Sequence, residues 1–381
     1  MIPQLEGPYL VATSAVVAGY WLLPRSVRTP AQGVAGAALL AWLDPVALGL
    51  FLVLAIAVWY GASARTVAVG GLVAVFVAVR AAAKPELWDL LTPIGFGYML
   101  VRLAHYALDR DKLPRHGLVQ YLSWVFFFPI LIIGPIYRFG AFLRDERRQR
   151  WDVEHIARGL ERVLFGIFSA LVLANWLVGR VLWGWAVEHC SDEGAVTVIV
   201  ECVVYGLNLY LLFSGLSSIA IGAAQMMGFR VDENFRYPFL QRNLADFWQC
   251  WHRTLSLWCR DYVFFPLVSK GANPVLAVFA SMTVLALWHD LSLRYFLWGL
   301  YHAIGLAVLR LFRQRIAPRL PPLRSPWSVG TARAASTALT VGFVMMSFVF
   351  TKSDTSAELL DDLAVLASAV LGYLPLSLGA P

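Results

Sequence analysis

The sequence predicts an all-α membrane protein that crosses the bilayer several times. Hydrophobic residues make up 59% of the 381 residues and charged residues only 14%, a balance outside the usual range of soluble domains. Several runs approach or reach the ~20 apolar residues that a helix needs to cross hydrocarbon. These runs are apolar on all sides and do not alternate as barrel strands do. We therefore expect a bundle of about ten to twelve helices.

The first element is an apolar segment that precedes Arg25 and Arg28. It lacks a basic stretch in front of it, so we expect a retained span with its N-terminus outside and not a cleaved signal peptide. The next apolar runs cover residues 45–62, 66–82, 117–137 and 195–213. Because no long linker separates them, a single membrane domain over residues 1–381 is the simplest organisation.

Arginine concentrates in short loops between the apolar runs. The formal net charge is +7; residues 310–333 contain six arginines and no acidic residue, and residues 138–162 contain seven arginines. The positive-inside bias places both loops in the cytoplasm and the acidic segments 188–193 and 354–362 outside. Topology and contact with anionic headgroups explain the basic loops better than a phosphate-rich donor does. Nucleic acid is therefore not an expected partner.

Residues 242–262 predict one continuous amphipathic helix. At ~100° per residue, the three tryptophans of this segment fall on one side and its arginines on the other. Indole is both apolar and a hydrogen-bond donor, which suits the interfacial zone of a membrane. His252 lies at the margin of the apolar side, where it is either a functional group or a partly buried structural histidine.

Residues 275–288 form an uncharged run that is followed directly by His289 and Asp290. Titratable groups at membrane depth are costly and usually line a cavity or pathway, so His289 is a candidate functional residue. On one continuous helix, His302 would point ~140° away from His289 and would not share its site. His105 has no evident reaction partner around it, and we expect it to be structural.

Several chemistries find no support in the sequence. The four cysteines form no CxxC pair, and no P-loop, dinucleotide-binding glycine fingerprint or serine nucleophile elbow is present. His252 and His289 are isolated from any CxxC or HExxH motif. No metal site and no bound cofactor are predicted.

Two neighbouring segments of the C-terminal half carry a resemblance: ENFRYPFLQRNLADFWQCWHRTLSLWCRDYVFFPL and LWHDLSLRYFLWGLYHA. They closely resemble the membrane-bound O-acyltransferase family, in particular its bacterial branch with the alginate O-acetylation and teichoic acid D-alanyl transfer proteins. Further segments agree in family order: TPIGFGYMLVRLAHYALD, FFPILIIGPIYRFGAFL, FSGLSSIAIGAAQMMGF and TVGFVMMSFVFTKSDTSAELLDDLAVL. The resemblance defines a family-like core over residues 92–366 and leaves the N-terminal spans of residues 1–91 without a clear signature.

The resemblance implies a multi-helix fold around a tunnel, in which an acyl group passes from a thioester donor to a hydroxyl acceptor. The catalytic histidine of the family falls at His289 and its supporting histidine at His252. A neutral imidazole suits the removal of a hydroxyl proton near pH 7. The same segments supply candidates for substrate contact or the tunnel lining: Asn234, Trp251, Arg260, Asp261, Trp288 and Asp290. For the charged candidates, an interfacial ion-pair network is the simpler alternative.

The leading hypothesis is a multi-pass O-acyltransferase of the bacterial cytoplasmic membrane. It would move an acyl group, with acetyl favoured, from a cytoplasmic thioester to an extracytoplasmic glycan or envelope polymer. Acyl-CoA and an acyl-phosphopantetheine carrier protein both fit as donors, and the resemblance implies a second, extracytoplasmic acyltransferase as a partner. Asp290 stands where glycine is usual in the family, which leaves the acceptor open. The alternatives are an acyltransferase acting on a lipid or small metabolite, a histidine-gated transporter without transferase activity and an inactive membrane scaffold.

Overall fold

The computed structural model describes residues 7–61, 63–82, 95–190, 194–320 and 325–373. These residues form helices and connecting segments with no strand, which confirms the predicted all-α class. Residues 191–193 of the acidic segment predicted to lie outside the membrane are not among the described residues. The α-helices are α1 (Gly7–Tyr20), α2 (Arg25–Leu43), α3 (Pro45–Gly61), α4 (Arg65–Ala82), α5 (Phe96–Asp109), α6 (Leu118–Val125), α7 (Phe139–Arg148), α8 (Val153–Phe168), α9 (Trp183–His189), α10 (Ala195–Met226), α11 (Leu244–Trp248), α12 (Arg253–Cys259), α13 (Phe265–Ser269), α14 (Pro274–His289), α15 (Leu293–Leu311), α16 (Pro326–Ser347), α17 (Val349–Lys352) and α18 (Ser356–Tyr373).

Four helical segments among the described residues are long and apolar enough to cross a membrane. They cover Val153–His189, Ala195–Met226, Leu293–Arg319 and Pro326–Lys352. The first of them joins α8 to α9 through a π-helical stretch at Ser169–Leu182. Shorter apolar helices cover Val11–Tyr20, Pro45–Gly61, Leu118–Ile130 and Pro274–His289. The multi-pass character is thus borne out, while the total of about ten to twelve membrane helices stays a prediction.

The apolar run over residues 117–137 is not the single spanning helix that its length suggests. The helix α6 is followed by a short 3₁₀ turn at Phe128–Ile130 and then by irregular chain, and most of these residues are buried. The Gln32 side chain supplies hydrogen bonds that a helix would have made: it donates to the Ser123 carbonyl at 2.8 Å and accepts from the Phe128 amide at 3.2 Å. The apolar composition reflects burial in protein, where irregular backbone is tolerated at membrane depth.

The prediction of one continuous helix over residues 242–262 is wrong. The helix α11 ends at Trp248, and α12 begins only at Arg253. Between them His252 adopts a left-handed backbone conformation with φ of 40°. The Arg253 amide donates to the Asn234 carbonyl at 2.8 Å, a bond outside the helical pattern. Amphipathic periodicity is therefore present in the sequence, but a tertiary hydrogen bond interrupts the helix.

The contacts of the chain divide it into two compact units. Unit 1 contains residues 1–170, 213–234 and 252–255, and unit 2 contains residues 171–212, 235–251 and 256–381. The core of unit 1 is rich in aromatic rings that contact one another: Tyr106, Tyr121, Trp124, Phe139 and Phe142. His105 lies beside this cluster, where its Nε2 accepts from the Phe139 amide at 3.1 Å. This contact agrees with the structural role expected for His105.

Within unit 1, α8 and α10 approach each other closely because glycines face each other at the crossing. A Cβ on Gly159 would lie 2.8 Å from the Gly222 carbonyl oxygen, and a Cβ on Gly166 would lie 2.6 Å from the Gly215 carbonyl oxygen. Since the earlier glycine of α8 meets the later glycine of α10, the two helices run antiparallel. Small residues at such interfaces permit the close backbone packing that joins helices in a membrane.

Candidate active site

His252 lies in unit 1, in the turn between α11 and α12. The residue is only 2% exposed. Its ring stands nearly perpendicular to the Phe213 ring at a centroid distance of 4.8 Å and stacks on the Tyr98 ring at 6.2 Å. The Tyr98 hydroxyl lies 3.5 Å from His252 Nε2. A left-handed conformation costs a non-glycine residue about 1–3 kcal/mol and recurs at functional sites, where the surrounding structure enforces it.

A buried hydrogen-bond network fixes the chain that follows this turn. Asn234 is fully buried; its carbonyl accepts from the Arg253 amide, and its Oδ1 accepts from the Thr254 hydroxyl at 2.8 Å and the Thr254 amide at 3.3 Å. Asn234 Nδ2 donates to the Ser217 hydroxyl at 3.4 Å. The Thr254 hydroxyl in turn accepts from the Ile136 amide at 3.0 Å. Buried polar groups that are satisfied together in this way specify one backbone conformation.

His289 lies in unit 2 as the last residue of α14. The chain then reverses within three residues, and the Ser292 hydroxyl caps α15 by accepting from the Tyr295 amide at 3.4 Å. The half-buried imidazole has three aromatic neighbours. Its centroid lies 4.8 Å from the Trp288 ring, 5.9 Å from the Tyr295 ring and 5.7 Å from the Trp298 ring. The His289 ring is therefore packed against three aromatic rings at a helix end.

His302 approaches the same tryptophan as His289 does. Because residues 290–292 interrupt the helix, the ~140° separation expected on one continuous helix does not apply. The His302 ring lies 5.1 Å from the Trp298 ring and 5.0 Å from the Trp248 ring, and the residue is 1% exposed. Within the described part of the chain, His302 Nδ1 and Trp248 Nε1 have no hydrogen-bond partner. Trp298 thus stands between two histidine rings.

The other predicted candidates of unit 2 have defined surroundings. Arg260 Nε donates to the Asp261 carboxylate at 2.9 Å, a partly exposed pair that suits the interfacial-network alternative. Trp288 and Asp290 flank His289 in sequence, and Trp288 also contacts its ring. Trp251 is buried among aromatic rings, namely Tyr210, Phe235, Phe239, Phe247 and Phe348. A tunnel-lining role for any of them, and for Asn234, stays a prediction.

Four aromatic neighbours of the candidate histidines escaped the sequence analysis: Tyr98, Phe213, Tyr295 and Trp298. Tyr98 precedes His252 by 154 positions, and Phe213 lies on a different helix. No local periodicity reports contacts over such separations. The contact between Trp298 and His289 could have been predicted from the sequence. Trp298 follows His289 closely, and the intervening Ser292 is a typical helix N-cap.

The two histidines offer different chemical settings. An imidazole accepts and donates protons near neutral pH, which suits general acid–base chemistry. His289 is half-buried and ends its helix, which suits a group that exchanges protons with a reactant. His252 is enclosed by rings and held on a constrained turn, so it suits the fixed orientation of one hydrogen-bonding group.

Comparison with known proteins identifies a family whose model matches most of this chain. The model of the membrane-bound O-acyltransferase (MBOAT) family matches residues 48–349, a range that includes His252 and His289. The probable alginate O-acetylase AlgI of Pseudomonas aeruginosa is 31% identical over 245 residues, which are 62% of this chain and 46% of that protein.

Two further relatives carry different names. The teichoic acid D-alanyltransferase of Bacillus subtilis is 28% identical over 249 residues, covering 59% of this chain and 61% of that protein. The peptidoglycan O-acetyltransferase of Helicobacter pylori is 30% identical over 203 residues, covering 51% of this chain and 38% of that protein. The chain thus spans less than two thirds of the length of each of these relatives.

Proposed function

Starting from the fact that the chain belongs to the membrane-bound O-acyltransferase family, we propose that it transfers an acyl group from a thioester to a hydroxyl group at the membrane. The observation that carries this proposal is the family match over residues 48–349, because it includes both candidate histidines. The relatives named for acetyl transfer to alginate and to peptidoglycan favour acetyl as the group and an envelope glycan as the acceptor. The relative named for D-alanyl transfer keeps the acyl group open.

In the proposed reaction, His289 is the general base. Its imidazole takes the proton of the acceptor hydroxyl while the hydroxyl oxygen attacks the thioester carbonyl. The tetrahedral intermediate collapses, the carbon–sulfur bond breaks, and the proton passes from the imidazolium to the leaving thiolate. The products are an ester and a free thiol, and the histidine returns to its neutral form. The half-buried position of His289 at the end of α14 is compatible with this exchange.

His252 is assigned a supporting role in the same reaction. A group that is 2% exposed and fixed by its turn is better suited to orient a substrate or to donate a hydrogen bond to the developing oxyanion than to exchange protons with solvent. Removal of one oxyanion donor typically lowers kcat by about 10²–10³-fold. The Tyr98 hydroxyl, 3.5 Å from Nε2, is placed to orient this imidazole.

The donor and acceptor are proposed to lie on opposite sides of the membrane. The basic segments 138–162 and 310–333 favour the cytoplasmic side, where thioesters such as acyl-CoA or an acyl-phosphopantetheine carrier protein are found. An extracytoplasmic glycan hydroxyl would meet this donor at a histidine within the cytoplasmic membrane. A second transferase outside the membrane is the partner that would pass the acyl group onward.

The test is product analysis of membranes that contain equal amounts of wild type or His289→Ala. Membranes are supplied with acetyl-CoA, free thiol is followed with a thiol reagent, and envelope glycans are examined by mass spectrometry for ester mass increments. We expect thiol release and an ester increment with wild type, and at least about a hundredfold less of both with His289→Ala. The same assay with an acyl carrier protein thioester distinguishes the donors.

The exposed His189 provides the control for this test. His189→Ala removes an imidazole outside both candidate settings and should keep the wild-type rate. Equal thiol release by wild type and His289→Ala would refute the assigned base. Histidine-dependent movement of an acyl compound across the membrane without thiol release would favour the transporter alternative.

A further inference from the structure

An apolar groove opens on unit 1 between α1, α8 and α10. It encloses about 390 Å³. Its lining is apolar apart from Thr13 and Ser14 of α1, and it includes the large side chains of Leu160, Leu164 and Ile219. Leu160 and Leu164 are 50% and 59% exposed. In a membrane protein, exposed apolar side chains on a spanning helix contact lipid, and a concave surface of this kind fits a flexible hydrocarbon chain.

One end of the groove is marked by two tryptophans. Trp21 follows α1, and its Nε1 donates to the Met226 carbonyl at the end of α10 at 2.8 Å. Trp151 precedes α8 and stands perpendicular to the Trp21 ring at 5.5 Å. The Asp152 carboxylate caps α8 and thereby fixes the chain next to Trp151. Fixed indoles at the end of apolar helices are typical of the level of the lipid headgroups.

Basic residues surround this same end. The Arg28 guanidinium lies 4.8 Å from the Trp21 ring centroid, and Arg25 donates to the Arg147 carbonyl at 2.6 Å. Arg148 and Arg150 are exposed on the segment that leads into Trp151. The end of the groove therefore carries several positive charges next to the predicted level of the headgroups.

The acidic residues of this segment are engaged in other contacts. The Asp145 carboxylate accepts from the Arg230 amide at 2.8 Å and from the Tyr137 hydroxyl. The Glu146 carboxylate accepts from Gln120 at 2.7 Å. The exposed arginines are thus the charges of this segment that remain most available to an anion outside the protein.

We propose that this groove binds an anionic phospholipid, with an acyl chain along α1, α8 and α10 and the headgroup phosphate against the arginines near Trp21 and Trp151. The apolar length of the groove selects a lipid over a soluble phosphate. The charge at its end selects an anionic headgroup over a zwitterionic one, since each basic residue near such a surface favours anionic lipid. The lipid site lies apart from the proposed acyl transfer and does not depend on it.

The charge arm of the test uses the full chain purified in a mild detergent, titrated with phosphatidylglycerol or phosphatidylcholine and analysed by native mass spectrometry. We expect wild type to bind one phosphatidylglycerol in preference to phosphatidylcholine. Arg148→Gln together with Arg150→Gln should weaken phosphatidylglycerol binding by about 30-fold, at about fivefold per arginine, with phosphatidylcholine binding unchanged. Arg313→Gln with Arg315→Gln removes the same charge from unit 2 and should leave the affinity as in wild type.

The groove arm tests the place of the acyl chain. Ala18 lines the groove and is exposed, so Ala18→Phe fills the groove without displacing buried residues. Ala18→Phe should abolish the binding of phosphatidylglycerol. Ala15→Phe lies on the same helix but outside the lining of the groove, so it should leave this binding unchanged. Three results would each overturn the proposal. Wild type could bind both lipids equally, the two double arginine variants could lower phosphatidylglycerol binding equally, or the two phenylalanine variants could do so. A single monodisperse peak in gel filtration verifies that each variant is folded.

Discussion

His252 and His289 lie in different local backbone structures, a left-handed turn and a helix end. In unit 1, a hydrogen-bond network around Asn234 fixes the backbone after His252 and imposes a left-handed conformation. In unit 2, His289 ends an ordinary helix and contacts the rings of Trp288 and Trp298. The strained conformation of His252 persists only where the surrounding structure enforces it, whereas the helical conformation of His289 carries no such cost.

The largest effect is expected from removing each imidazole and then supplying it in solution. His289→Ala and His252→Ala should each lose about a hundredfold or more in thiol release. Added imidazole should restore part of the activity of His289→Ala, since that position is half-buried, and little of His252→Ala, since that position is 2% exposed. The measurement is the rate against imidazole concentration. Rescue of His252→Ala alone would reverse the assigned roles.

The next largest effect is expected from breaking the hydrogen-bond network of Asn234, which lies beside His252 in unit 1. Asn234→Ala removes the acceptor of the Thr254 amide and hydroxyl, and each buried group left unsatisfied costs about 1–3 kcal/mol. We expect a clearly lowered unfolding temperature in detergent and a kcat lowered by about tenfold or more, because the turn relaxes.

Asn208 provides the matched control, because its side chain donates a hydrogen bond to the Ala174 carbonyl at 2.8 Å within unit 2. Asn208→Ala should cost about 1 kcal/mol and leave kcat unchanged. If Asn234→Ala and Asn208→Ala were equal in both readouts, the network would have no special link to the His252 turn.

Replacing each histidine by glycine or by alanine should give opposite orders of protein stability at the two positions. At His252, with φ of 40°, glycine avoids the Cβ clash of the left-handed region, so His252→Gly should be more stable than His252→Ala by about 1 kcal/mol. At His289, in the last turn of α14, His289→Gly should be less stable than His289→Ala by up to about 1 kcal/mol. Thermal unfolding of the four variants checks this reversal, and the same order at both positions would contradict it.

The smallest effect is expected at the ring packing of unit 2. Trp298→Phe keeps an aromatic ring beside His289 but removes the indole Nε1, which lies 3.3 Å from the Ser347 hydroxyl. Aromatic pairs contribute about 0.5–1.5 kcal/mol, so kcat should fall by about two- to tenfold. Trp327 is 84% exposed, and Trp327→Phe should have no effect on kcat. A hundredfold loss with Trp298→Phe would mean that the indole itself contacts the reactants.

Local sequence features were sufficient where the cause of the structure is local. The uncharged run before His289 is helical from Pro274 to His289, and the runs starting at residues 45 and 66 become α3 and α4. A helix in an apolar setting satisfies its own backbone groups, so composition and length predict it. The family motifs likewise identified His252 and His289 as candidates, because such motifs are contiguous in the chain.

The sequence by itself thus determined the all-α membrane class, the family and the candidate histidines. The tertiary contacts explain why the run over residues 117–137 is a short helix followed by a turn and irregular, mostly buried chain. They also explain why the amphipathic segment breaks at His252, next to Tyr98 and Asn234. The physical reason is that hydrophobicity acts locally and without direction. A hydrogen bond from Thr254 to the Asn234 side chain, or a ring contact over 154 positions, forms only when separate segments meet in the fold.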